Sequence, residues 1–252
     1  MALQENGALH APKTIAVLGG AGGIGRTLVA SLQNLGHTVT VLDLPTSLKA
    51  HKINGIEIDA ADEAGVARAM DDLSVRHADG LDGFVNLAGW NSVIQPLSET
   101  PASYFDDVVQ GNLRSTFLAT KAVAPLLRDG GAIVLCSSGL GSFIRPGFGP
   151  YAASKAGVIA LTKTFALELA PRLRVNAVGP AVVDTAFLRG GTGRSDESSE
   201  NVLDIERHKA MTPLERVAQP EDVAGPIRFL LGPDSSFMTG QVLWVNGGAY
   251  MP

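Results

Sequence analysis

Short apolar runs recur along the chain, and between them lie longer segments whose apolar residues return every three or four positions. The runs 13–18, 38–42, 56–58, 83–86, 133–138, 173–178 and 241–245 are rich in Val, Ile and Leu, and they predict strands buried on both faces. The segments 24–35, 62–77, 102–127, 151–170 and 220–231 carry the helical period and predict helices. Strand and helix alternate from one end to the other, with no linker and no internal repeat. That order predicts an α/β fold, a doubly wound parallel sheet of Rossmann-like type with about seven strands and helices on both faces. The reading is of a single domain over 1–252, with an N-terminal extension at 1–12.

Composition narrows the class. Of 252 residues 45% are hydrophobic and 18% charged, enough for one sizeable core. The formal net charge is −5 and no basic run occurs, which argues against a nucleic-acid partner. The single cysteine, Cys136, falls inside an apolar strand and has no internal partner for a disulfide, as suits a reducing compartment. No stretch approaches the length of a membrane span, and residues 1–12 lack a signal-peptide pattern, so a cytoplasmic location without membrane attachment is expected.

In a doubly wound sheet ligands collect at the carboxyl ends of the strands, and that is where the chemistry-bearing residues fall. Gly19-Gly-Ala-Gly-Gly-Ile-Gly25 joins the first strand to the first helix, and glycines at 19, 23 and 25 let backbone amides approach a pyrophosphate at the helix start. Asp43 ends the second strand, where a carboxylate accepts hydrogen bonds from both adenosine ribose hydroxyls and repels a 2′-phosphate. Neither Gly22 nor Leu44 offers a positive charge and Arg26 points into the first helical turn, so NAD is favoured over NADP. A plain turn or cap acid is the other use of such an aspartate. Asp59 is placed to meet the adenine amino group. Asn86 leads into Leu87-Ala88-Gly89, small residues where a flat ring can approach the backbone. Asn112 lies among apolar neighbours in mid-helix and must find partners there, as part of the site or as a satisfied core amide.

The run Ile133-Val-Leu-Cys-Ser-Ser138 delivers a hydroxyl, Ser138, to a strand end, and Tyr151 and Lys155 stand one turn apart on the following helix. A phenol titrates near ~10 in water, and a neighbouring ammonium favours its ionised form. Serine, phenol and amine together can move a proton on and off an alcohol oxygen. Beyond Gly179, Pro180, Val183 and Thr185 are placed against the cofactor, and 187–210 reads as a substrate lid built around a polar, glycine-rich segment, which could equally be an idle loop.

These motifs resemble the short-chain dehydrogenase/reductase family, in its compact single-domain branch. The likeness runs through Gly19-x3-Gly23-Ile24-Gly25, Asn86-x-Ala88-Gly89, Asn112, Ser138, Tyr151-x3-Lys155, Asn176-Ala-Val-Gly-Pro180, Val242 and Gly247-Gly248. The resemblance implies that Ser138 polarises the substrate oxygen and Tyr151 is the general acid/base. It implies that Lys155 lowers the phenol's pKa while binding the nicotinamide ribose, and that Asn112 holds a water in the proton path. It also implies a homotetramer or homodimer assembled through the helices at 102–127 and 151–170. The chain departs from the family pattern at Leu18, Leu87 and Ala181; an alanine at 181 is strained if that position has positive φ.

The expected activity is hydride transfer between NAD(H) and a secondary alcohol or ketone, with no metal. Two other readings remain open at this point: a catalytically silent NAD-binding regulator, and a redox-neutral enzyme on the same fold. The substrate pocket is expected from Trp90, Leu140, Phe143, Ile144, Phe148, Val182, Phe187 and Leu188, with Trp90, Leu140, Phe148 and Phe187 in contact with the small-molecule substrate. This largely apolar set suits an apolar or cyclic frame. Arg145 and Arg189 in the flanking loops could meet an anion, but are read as solvated surface residues.

Overall fold

Side-chain alternation along the first strand sets up both layers of the core. The computed structural model describes residues 11–189 and 203–251. In β1 (Thr14–Leu18), Ile15 and Val17 face one side of the sheet while Ala16 and Leu18 face the other. All four are essentially inaccessible to solvent. β1 pairs in parallel with β2 (Thr38–Asp43) on one flank and β4 (Leu81–Asn86) on the other. β3 (Ile56–Glu57) extends the first flank, and β5 (Leu127–Cys136), β6 (Arg174–Pro180) and β7 (Val242–Val245) extend the second. The described residues thus form a seven-stranded parallel sheet of order β3-β2-β1-β4-β5-β6-β7. Strand order reverses between β1 and β4, which opens a crevice at their carboxyl ends.

The face carrying Ile15, Val17, Val85 and Val134 is covered by α1 (Gly23–Asn34) through Leu28 and Leu32, and by α8 (Pro220–Leu231) through Val223, Ile227 and Leu230. The face carrying Leu18, Phe84, Ile133 and Ala177 is covered by three helices. These are α3 (Glu63–Arg76) with Val66 and Leu73, α5 (Ser115–Val123) with Leu118, and α6 (Gly149–Leu169) with Val158 and Ala166. The doubly wound sheet read from the sequence is therefore present.

Four local features differ from the sequence expectation. A short helix, α2 (Pro45–Ala50), follows β2 and buries Leu48 against Ala21 and Val41; six residues are too few to display a period. A second, α7 (Ile205–Ala210), lies in the segment read as a lid and is capped by Asp204, whose carboxylate accepts from the Arg207 amide. Residues 190–202 of that segment and residues 1–10 of the extension lie outside the described residues. The helix expected over 102–127 is not continuous. It divides into α4 (Ala102–Val109), a wide π-turn over Gln110–Arg114, and α5, then tightens over Ala124–Leu126; Leu127 already belongs to β5. Asn112 explains the wide turn, since its amide nitrogen donates to the Val108 carbonyl at 2.9 Å and competes with the ordinary helical bond. Pro125, with no N–H to give, ends the helix early. Ala181, finally, does not have positive φ, so the anticipated backbone strain is absent; its amide donates to the Val245 carbonyl at 2.9 Å.

Candidate active site

The carboxyl ends of β1, β2, β4, β5 and β6 open onto one cavity of about 650 Å³. Its floor is the turn after β1. Gly19 has φ of +78°, and a Cβ there would lie 2.8 Å from the Leu87 carbonyl carbon, so the loops after β1 and β4 touch only because that side chain is missing. At Gly25 a Cβ would run into the Gly19 carbonyl oxygen. The first turn of α1 has no side-chain cap and no acidic residue, which leaves its amides and the helix dipole available to an anion. Gly19, Gly23, Ile24 and Gly25 all line the cavity. These features fit the pyrophosphate of a dinucleotide.

At one end of the cavity lies Asp43, only 8% exposed. One carboxylate oxygen accepts from the Ala21 amide at 2.9 Å and the other from the Leu44 amide at 2.8 Å, so the acid also braces the glycine turn. Burial raises its pKa, against the opposing pull of the two amide bonds and of His51. Arg26 does not point into its own helical turn as expected. Its guanidinium lies 2.6 Å from the Ala21 carbonyl and 2.7 Å from His51 Nε2, toward the α2 side. Asp59 lines the same end, with one oxygen accepting from the Ala61 amide.

The central wall is formed by Ala88 and Gly89 after β4, and opposite by Pro180, Val183 and Thr185 after β6. Asn86 sits behind this wall, not in it; its Oδ1 accepts from the Ala88 amide at 3.0 Å and shapes the Leu87-Ala88-Gly89 turn. Asn112 is likewise wholly buried and does not reach the cavity. Its Oδ1 accepts from the Trp90 amide at 3.0 Å, and its Nδ2 donates to the carbonyls of Trp90 and Val108, both at 2.9 Å. A Cβ on Gly89 would stand 2.6 Å from Asn112 Oδ1 and 2.9 Å from Lys155 Nζ, so glycine at 89 lets these two groups crowd one point.

Ser138, Tyr151 and Lys155 converge on the same cavity. Ser138 leaves β5 and caps the tight turn Gly139–Gly141, its Oγ accepting from the Leu140 amide at 3.2 Å. Tyr151 and Lys155 rise from α6 and are 8% and 3% exposed. Lys155 Nζ donates to the Cys136 carbonyl at 2.9 Å and stands 5.6 Å from the centre of the Tyr151 ring. Burial drives the phenol's pKa above its ordinary value; the Cys136 thiol adds to this and the nearby Ser138 hydroxyl opposes it. Burial also lowers the pKa of the Lys155 ammonium. Both shifts disfavour charge, so within the protein alone the phenol is a proton donor and not a preformed phenolate.

Trp90, Leu140, Phe148 and Phe187 line the remaining part of the cavity, with Phe143, Val182 and Leu188; Phe187 packs on Tyr151 with ring centres 5.9 Å apart. Ile144 is turned outward at 60% exposure and does not line it. Sequence reasoning missed several contributors, Tyr250, Arg207 and His208 among them. Tyr250 reaches the cavity because Gly247 and Gly248, both with positive φ, turn the chain back after β7. Arg207 and His208 reach it from α7, and Arg145, read as a solvated arginine, lines it too.

The family model described as Enoyl-(Acyl carrier protein) reductase matches residues 19–250. The chain belongs to the short-chain dehydrogenase/reductase family. This short-chain dehydrogenase/reductase is 34% identical to the 3-oxoacyl-(acyl-carrier-protein) reductase FabG of Staphylococcus aureus, over 95% of this chain and 98% of that one. Among solved structures it resembles a short-chain dehydrogenase/reductase of Brucella melitensis, described as a glucose/ribitol dehydrogenase. The TM-score is 0.84 at 28% identity, with 95% of this chain and 97% of that chain covered. It also resembles the 3-ketoacyl-(acyl-carrier-protein) reductase of Brucella melitensis complexed with NADH, at a TM-score of 0.83 and 25% identity, covering 95% and 98%. The family makes the protein an oxidoreductase that uses a nicotinamide cofactor. Among the described residues no helix is long and apolar enough to cross a membrane.

Proposed function

We propose that this enzyme transfers a hydride between NAD(H) and the carbon of a secondary alcohol or ketone, with Tyr151 as general acid/base. The observation that carries this reading is the meeting of Ser138, Tyr151 and Lys155 on one cavity with the uncapped, glycine-built start of α1. The glycine turn and α1 amides would hold the pyrophosphate, and Asp43 the adenosine ribose. A nicotinamide bound there supplies the hydride acceptor or donor.

The protein's own part is alignment and proton handling. Ser138 donates a hydrogen bond to the substrate oxygen and fixes it beside the phenol. In the reductive direction Tyr151, which carries its proton at neutral pH, gives it to that oxygen. Lys155, anchored by the Cys136 carbonyl, would hold the nicotinamide ribose. The carboxylate of Asp43 favours NAD over NADP by repelling a 2′-phosphate. The largely apolar wall of Trp90, Leu140, Phe148 and Phe187 accepts an apolar or cyclic frame. A 3-oxoacyl group, named for the Staphylococcus aureus relative, carries a ketone and falls within this class.

The test is a spectrophotometric screen of secondary alcohols and ketones with NAD(H) and NADP(H) in parallel. Turnover with at least one ketone, faster with NADH than with NADPH, is expected. Product formed without net change in the nicotinamide, or no turnover across the panel, would overturn the proposal.

A further inference from the structure

The cavity of the proposed oxidoreductase is lined by apolar side chains and also by Arg145, Arg207 and His208, and Arg145 is seated on an aromatic stack. Arg145, in the loop after β5, lies with its guanidinium carbon 4.9 Å above the centre of the Phe143 ring. Phe143 in turn lies parallel to Tyr250, with centres 5.6 Å apart and planes 8° from parallel. Tyr250 is held from two sides: Trp244 meets it edge-on at 5.6 Å, and its hydroxyl donates to the Gly179 carbonyl at 3.2 Å. The residue that presents the guanidinium is therefore seated on a fixed support and not on a free loop tip.

Across the opening, α7 contributes Arg207 and His208 to the cavity lining. Arg145 is close enough to His208 to help lower its pKa, after the larger effect of burial. The one acid among these lining residues on α7 is Asp204, and its carboxylate is engaged as the helix cap, accepting from the Arg207 amide at 2.9 Å. Glu206 is paired with Lys209 at 2.7 Å. Arg145 and Arg207 thus line the cavity together with Asp204, and among the described residues neither guanidinium is held in an ion pair. A guanidinium stacked on an aromatic face keeps its planar edge of N–H donors free, and that edge matches a carboxylate.

We infer that the substrate is a ketone or secondary alcohol bearing a carboxylate remote from the reacting carbon, and that Arg145, assisted by Arg207, holds that carboxylate. This rests on the oxidoreductase reading above and sharpens it. Ser138 and Tyr151 take the carbonyl end, the apolar wall takes the frame, and the stacked guanidinium takes the anion.

The probes are 3-oxocyclohexane-1-carboxylate and its methyl ester, which differ in the charge and in one methyl group. With the full-length enzyme and NADH, the carboxylate is expected to show a KM at least tenfold below that of the ester, an advantage that shrinks as salt is added. In R145Q, which keeps a planar polar side chain without the charge, KM for the carboxylate rises at least tenfold. Its kcat stays within twofold, and the ester is unaffected. R145K restores part of the loss. Equal KM values for the two probes in the wild type, or equal effects of R145Q on both, would overturn the inference.

Binding separates this inference from the activity itself. Quenching of Trp90 and Trp244 fluorescence reports occupancy without turnover. If neither probe is reduced but the carboxylate binds more tightly and R145Q abolishes the difference, the anion site stands while the proposed activity on these ketones falls. If the two probes bind equally, the anion site falls whatever the activity.

Discussion

Lys155 gives its hydrogen bond to the carbonyl of Cys136 at 2.9 Å, and so stands under the Tyr151 ring, 5.6 Å from its centre. The ammonium is thus anchored by the last residue of β5, two positions before Ser138. Burial raises the phenol's pKa and lowers the amine's. A raised phenol pKa keeps the proton on Tyr151 through neutral pH and releases it only on the alkaline side. The kcat/KM for ketone reduction is therefore expected to be level around neutrality and to fall at alkaline pH, while that for alcohol oxidation climbs with pH. Opposite slopes measured on one substrate pair check this.

Replacing Tyr151 by Phe keeps the ring's packing against Phe187 and removes the transferable proton. Turnover is expected to fall by at least about a hundredfold, the usual scale for losing a general acid. Nicotinamide affinity, measured by NADH fluorescence enhancement, should change little. Rates close to wild type would show that another group handles the proton.

Gly25→Ala places a methyl group against the Gly19 carbonyl oxygen. The turn must open to admit it, pulling amides away from where a pyrophosphate binds. The variant is expected to lose cofactor affinity by about tenfold or more, equivalent to ~1.4 kcal/mol, with kcat at saturating cofactor less affected. Isothermal titration with NAD and NADP measures it.

Asp43→Ser removes the charge that opposes a 2′-phosphate while keeping a short polar group near the Ala21 and Leu44 amides. The ratio of kcat/KM for NADH over NADPH is expected to drop by about tenfold or more, from loss of a single charge repulsion. An unchanged ratio would mean that Asp43 serves only the glycine turn.

Asn112→Ala strips the partner from the Trp90 amide and carbonyl and from the Val108 carbonyl, all in a buried setting. Each buried polar group left without a partner costs about 1–3 kcal/mol. A lower midpoint in urea denaturation is expected, together with reduced activity because Trp90 lines the cavity.

Much of this was legible in the sequence because it depends on local chemistry. Period and composition alone give the alternating strands and helices, and Gly19 to Gly25, Asp43, Ser138, Tyr151 and Lys155 lie at strand ends or on one helix face. The features that stayed hidden depend on neighbours distant along the chain. The period across 102–127 does not reveal that Asn112 takes the Val108 carbonyl and widens the helix, nor that Lys155 is tethered to Cys136. Tyr250 follows two glycines at the end of a strand, and only their positive φ values send it back over Gly139 and Phe143. Arg145 is a solvent-exposed loop residue as read, and only the placement of Phe143 against that tyrosine shows that it also borders the cavity.

The wide turn over Gln110–Arg114 works like an added step in a spiral stair. One extra residue in a turn swings everything after it by about 100° around the axis, given 3.6 residues per ordinary turn. Val108 before it can therefore lean toward Trp90 and Tyr151, while Leu118 and Val123 after it settle on the sheet. Deleting a single residue here would undo that rotation, and the two halves could no longer serve the chamber and the interior at once.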